Sequence, residues 1–155
     1  MTPLLFDTLE QYRAQVLVAL AGAERTLDWF DPDLAGSGAE APACAEALHA
    51  QLAGKQLRLR LLLHDEAWFV RHCPRLAALM QVYGHLFELR LTGEADREAG
   101  EPFLLTERAV VRRFHADSPR GEAAGPGRAH AACRQRFGDL WMQAVPAGAG
   151  RRLFI

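Results

Sequence analysis

The chain is almost without lysine. Of its 18 basic residues, Lys55 is the one lysine and the other 17 are arginine; against 19 acids they leave a net charge of −1. That near balance excludes a global field that would draw the protein to DNA, RNA or an anionic membrane. With so much alanine and glycine around it, the arginine skew reads first as a coding bias. Cysteine is scarce too. Cys44, Cys73 and Cys133 lie far apart, odd in number and without a Cys-x-x-Cys, which excludes a disulfide framework and a cysteine-based zinc site. Their apolar neighbours mark them as small buried thiols in a reducing compartment. The histidines show no His-x3-His spacing, so no metal and no cofactor are expected. Long apolar runs are missing: the longest, Val16 to Ala23, is far too short to span a bilayer. The start, "MTPLLFDTLEQ", has no basic leader region, so a cytoplasmic location without membrane contact is expected.

What is present is patterned for an ordinary folded domain. At 155 residues the chain reads as one domain, 1–155, able to bury roughly 70% of its unfolded surface. Asp7 and Glu10 suggest a capping pair before a helix over 8–23, whose Leu9, Tyr12, Val16 and Leu20 recur at helical spacing. "RTLDWF" (25–30) predicts a strand ended by "DPDLAGSG". Cys44, Leu48 and Leu52 predict a helix over 42–53 capped by Gly54. In "LRLRLLLH" (57–64) the odd-numbered leucines point to the core, and the opposite face turns from polar to apolar along a strand. A helix over 65–82 is expected to kink at Pro74. "HLFELRL" (85–91) is the next strand, and "FLLTERAVVRRF" (103–114) a hairpin around Thr-Glu-Arg. "HADSPRGEAAGPG" is rich in glycine and proline and is expected to be the most mobile stretch. The last helix, 127–144, gathers Ala129, Cys133, Phe137, Leu140 and Trp141 on one face, before an apolar tail "RRLFI". Alternating strands and helices predict an α/β fold with a mixed, mostly parallel sheet flanked by helices.

No catalytic motif is complete. Asp31 and Asp33 follow the first of these strands, and His64 and Asp65 the second, at the strand ends where open α/β sheets form their ligand crevice. The plainer reading has Asp65 capping the next helix, Asp31 starting a turn before Pro32, and His64 filling a strand end. Adjacent His64 and Asp65 also point to opposite faces of a strand. Arg112, Arg113 and His115 close the hairpin and offer guanidinium groups to a small anionic ligand, or simply form a solvated strand end. Gly121 to Gly127 lacks the Lys-Ser/Thr ending and the preceding strand of a phosphate loop. Trp29, Trp68 and Trp141 sit at core spacing rather than as a base-stacking platform.

Four pieces, "AERTLDWFDPDL", "LRLRLLLHD", "PFLLTERAVVRRF" and "RFGDLWMQAVPAGAGRRLFI", in that order and spacing, resemble one repeat of the phospholipase D-like fold. The likeness is to a compact bacterial group of uncharacterised domains and spans residues 7–155. Active members of that superfamily carry His-x-Lys-x4-Asp, in which the histidine attacks phosphorus and the lysine holds the phosphate oxygens. Here the matching stretch is "GEPFLLTER", with Gly100 near the histidine position, Pro102 near the lysine position and Glu107 roughly in place of the aspartate. The resemblance therefore implies a non-catalytic phospholipase D-like module with a binding, assembly or regulatory role. One alternative is a hydrolase or transferase rebuilt around Asp31, His64, Asp65 and His115. The other is a nucleic-acid-binding module, against which the near-zero charge and the missing basic stripe count. Nucleic acid is thus not an expected partner. A homodimer is, because Phe103, Leu105, Val110 and Phe114 leave apolar positions on both faces of the hairpin.

Overall fold

The computed structural model describes residues 2–148. Eight strands form one sheet: β1 (Leu4–Phe6), β2 (Thr26–Asp31), β3 (Arg58–Leu63), β4 (Phe87–Leu91), β5 (Phe103–Thr106), β6 (Val110–Arg113), β7 (Gly121–Ala124) and β8 (Val145–Pro146). Five helices accompany them: α1 (Leu9–Gly22), α2 (Pro42–Lys55), α3 (Ala67–His72), α4 (Pro74–Val82) and α5 (Arg128–Met142). The strand order is β1-β7-β6-β5-β2-β3-β4-β8.

The mixed α/β sheet flanked by helices is as expected, but its balance is not. Only β2–β3 and β3–β4 pair in parallel, and the other five pairings are antiparallel. Helical crossovers α2 and α3–α4 set the two parallel pairs. The short links from β5 to β7 can only bring the chain back antiparallel. The longest of the strands missed by pattern is β7, "GEAA", inside the stretch expected to be most mobile. It has little intrinsic strand preference and is held between β6 and β1 by pairing alone. Gly121 is required there: a Cβ would fall 2.0 Å from the Arg112 carbonyl oxygen and 2.7 Å from the Phe6 ring.

Two caps also differ from expectation. Thr8, not Asp7, caps α1, accepting from the Gln11 N–H at 3.1 Å, while Gln11 accepts from the Asp7 N–H at 2.9 Å. Gln56, not Gly54, ends α2 in the left-handed conformation. The helix predicted over 65–82 is broken by Pro74 into α3 and α4. The tail "RRLFI" lies outside the described residues.

The sheet buries both faces unequally. Helices α1 to α4 cover one face, where Leu27, Trp29, Leu59, Leu61, Leu63, Leu104 and Val111 form the larger core. The other face carries Phe30, Leu62, Phe103, Leu105 and Val110, and α5 covers it with Cys133, Phe137, Leu140 and Trp141. Phe103, Leu105 and Val110, expected as exposed dimer contacts, are therefore buried in the chain's own core. Phe114 is the exception, at 43% exposure. Among the described residues no helix is long and apolar enough to cross a membrane.

Candidate functional site

The stretch that the resemblance set against the His-x-Lys motif, around Gly100 and Pro102, is the loop entering β5. Phe30 lies opposite Phe103, so Pro102 stands at the Asp31 end of that strand pair, and its carbonyl accepts from the Arg113 N–H at 2.9 Å. His115 flanks Gly100, its Nε2 3.5 Å from where a Cβ would sit. Glu107, in the β5–β6 turn, reaches instead to the start of β2. Its carboxylate accepts the backbone N–H groups of Glu24 (2.7 Å), Arg25 (3.3 Å) and Thr26 (3.2 Å). Burial raises its pKa, but the sum of these backbone donors outweighs burial and holds it below the ordinary glutamate value. Its role is scaffolding. Glu107→Ala is expected to cost about 0.5–1.5 kcal/mol, because two of the three donors are exposed and water replaces the carboxylate there. Because the folded pKa is depressed, the contribution is complete above the ordinary glutamate range and is lost as pH falls through the folded value. Urea unfolding at neutral and acid pH measures both: the gap between wild type and variant should close in acid.

Three buried polar side chains meet beside this loop. Tyr12 of α1, Asp31 at the end of β2 and Arg113 at the end of β6 are 0%, 1% and 5% exposed. Asp31 Oδ1 accepts from the N–H groups of Asp33 (3.1 Å) and Leu34 (2.8 Å), fixing Leu34 at φ 75°. Asp31 Oδ2 lies 4.0 Å from Arg113 Nη2, and the Arg113 guanidinium stands 4.9 Å from the Tyr12 ring centroid. Tyr12 Oη, Asp31 Oδ2 and Arg113 Nε make no hydrogen bond of ordinary geometry. Burial is the main cause pushing Asp31 up to about 6 and the Tyr12 phenol well above its usual value.

The remaining candidates are dispersed. Asp33 accepts from the Ala35 N–H within its own turn, and Asp65 from the Ala67 N–H at the start of α3. His64 points to the α5 side of the sheet, away from Asp31. Its Nε2 lies 2.6 Å from the Ala99 carbonyl, which can only accept, so that nitrogen carries the proton; Nδ1 meets Thr92 Oγ1 at 2.6 Å. His115 is exposed and accepts from the Asp117 N–H. Arg112 and Arg113 point to opposite faces, Arg112 to Glu122 at 3.1 Å. The three free cysteines are buried. Burial pushes Cys44 and Cys73 up to about 12 and Cys133 to about 11, so none offers a thiolate near neutrality.

An arginine-bearing surface that was not legible in the sequence surrounds α5. On one flank Arg134 joins Arg58 and Arg60 of β3, beside Thr26 and Asp28, around a depression of about 260 Å³. Asp28 holds Arg60 in a bidentate pair at 2.8 and 2.9 Å, and the Arg60 guanidinium lies 5.0 Å from the Phe137 ring. On the other flank Arg128 and Arg136 join Arg112 along a cleft of about 500 Å³ floored by Phe103, Ala129 and Cys133. Glu101 and Glu122 are the acids of that cleft. In the linings of these two depressions, leaving out Arg113 whose side chain pairs with Asp31 on the opposite face, six arginines meet three carboxylates, an excess of three positive charges in a chain of net −1. Arg58, Arg128, Arg134 and Arg136 are exposed and make no ion pair among the described residues.

Residues 8–153 match the family described as "Domain of unknown function (DUF7931)", and the chain belongs to that family. No curated protein matches in sequence. Among the solved structures that share the fold are the following two. One is TrmBL2, an archaeal chromatin protein whose structure shows a novel mode of DNA binding: TM-score 0.72, 12% identity, covering 95% of this chain and 55% of that one. This chain thus spans about half the length of that neighbour. The other is NucT from Helicobacter pylori, with TM-score 0.62, 7% identity, and coverage of 94% of this chain and 99% of that one. At these identities the likeness is one of fold. It nevertheless corrects the expectation on partners. Nucleic acid was set aside on net charge, yet a DNA-binding protein shares this architecture across nearly the whole chain.

Proposed function

We propose that this DUF7931 domain is a non-catalytic module of the phospholipase D-like type that binds nucleic acid through the arginine-bearing face around α5. The observation that carries the reading is the convergence of Arg58, Arg60, Arg112, Arg128, Arg134 and Arg136 on one side of the sheet. Phosphate backbones are bound by such guanidinium groups, and local charge governs this contact more than the total does. The fold shared with a DNA-binding chromatin protein supports the same reading. Gly100 and Pro102 supply neither a nucleophile nor a cation to phosphorus, so the face acts by binding.

Fluorescence anisotropy with a labelled oligonucleotide tests it. Binding should be tight at low salt and weaken linearly in log–log form as salt rises. Arg134→Glu with Arg136→Glu should weaken it at least about tenfold and flatten the salt slope by roughly one to two. Reversing the exposed Arg71 and Arg75, on the helices of the opposite face, should leave it unchanged. No binding at low salt, or equal loss from both reversals, would remove the proposal.

A further inference from the structure

We infer that the nucleic acid taken by this face is single-stranded, with a base stacked on Phe114. The inference rests on the binding role proposed above and names its substrate class. Phe114 is the one exposed aromatic residue among the described residues, 43% accessible just beyond the end of β6. It continues the cleft beside α5. The Arg112 guanidinium, at the cleft wall, lies 5.0 Å from the Phe114 ring centroid. Beyond it, Phe114, Leu5 and Arg120 line an adjoining depression of about 290 Å³, and Leu5 is 71% exposed. Cations and apolar surface are therefore interspersed: Arg112, in the cleft with Arg128 and Arg136, lies at the Phe114 ring, and Arg120 shares the depression of Phe114 and Leu5.

This arrangement suits a strand whose phosphates and bases are both accessible. A base has a π-face to stack on an aromatic ring whatever its identity, and nearby arginines bind the phosphates between. In a duplex the bases are stacked on one another, so Phe114 and Leu5 would meet only sugar and phosphate. The acids along the path are Glu101, Glu122 and Asp7. Glu122 is already paired with Arg112, which orients that guanidinium.

The test compares a labelled oligothymidine of about 15 residues with a duplex of the same length, using the whole chain. The wild type should prefer the single strand. Phe114→Ala, at an exposed position, should lower single-strand affinity on the order of tenfold or more while leaving the salt slope and duplex affinity unchanged. Phe114→Trp should restore it. Equal wild-type affinity for both forms, or no effect of Phe114→Ala on the single strand, would overturn this inference and leave the binding role standing. Failure to bind either form would overturn both.

Discussion

Replacing Trp141 by alanine is expected to destabilise the fold by about 3–5 kcal/mol, the usual cost of truncating a large buried aromatic. Among the described residues α5 is the one helix over its face of the sheet, and Trp141 belongs to its buried stripe. The ring is 9% exposed, lies nearly parallel to Phe137 at 5.6 Å and receives the Arg90 guanidinium at 4.3 Å. Arg60 also leans on it, at 5.3 Å. The loss should therefore reach the charged surface as well as the core. Chemical unfolding followed by circular dichroism measures it. A loss well below 1 kcal/mol would mean that α5 is not an integral layer of the fold.

Asp31→Ala is also expected to destabilise the fold. At neutral pH it leaves the buried Arg113 guanidinium facing no carboxylate, for which about 3–5 kcal/mol is the ceiling, because the two groups stand 4.0 Å apart without a hydrogen bond and burial disfavours the ionised Asp31. It also removes the acceptor that holds the N–H groups of Asp33 and Leu34. The wild type carries a pH signature of the same group. Burial raises the folded pKa of Asp31 to about 6 from 3.8, so its contribution to stability is complete below the unfolded value. That contribution falls as pH rises through about 6. Stability measured between pH 4 and 7.5 should decline across this window in the wild type and lose that component in Asp31→Ala. An unchanged profile would show that Asp31 does not titrate there.

The parts of the fold that were legible are those with long, strong periodicity. The leucines of β3 and the Cys133–Phe137–Leu140–Trp141 stripe of α5 each declare their buried side. The illegible parts are β1, β7 and β8, of three, four and two residues, which exist because neighbouring strands pair with them. Missing β7 hid the antiparallel half of the sheet. The candidate site was hidden for a related reason. Arg58 and Arg136 lie 78 positions apart (136 minus 58) and come to opposite flanks of one helix only once α5 packs on the sheet. Net charge, summed over the chain, cancelled the asymmetry that the fold creates. Tyr12 was readable as a core position, but its proximity to Arg113 depends on a partner from the far half of the chain.

The central claim, that the face around α5 is where nucleic acid binds, is met most directly by mapping backbone amide shifts. A 17.2 kDa chain gives well-resolved nitrogen–proton spectra, titrated here with the labelled single strand. The account predicts shifts concentrated at residues 58–60, 112–114 and 128–136. Shifts confined to the α1–α4 face, or none under conditions of saturating low-salt binding, would contradict it.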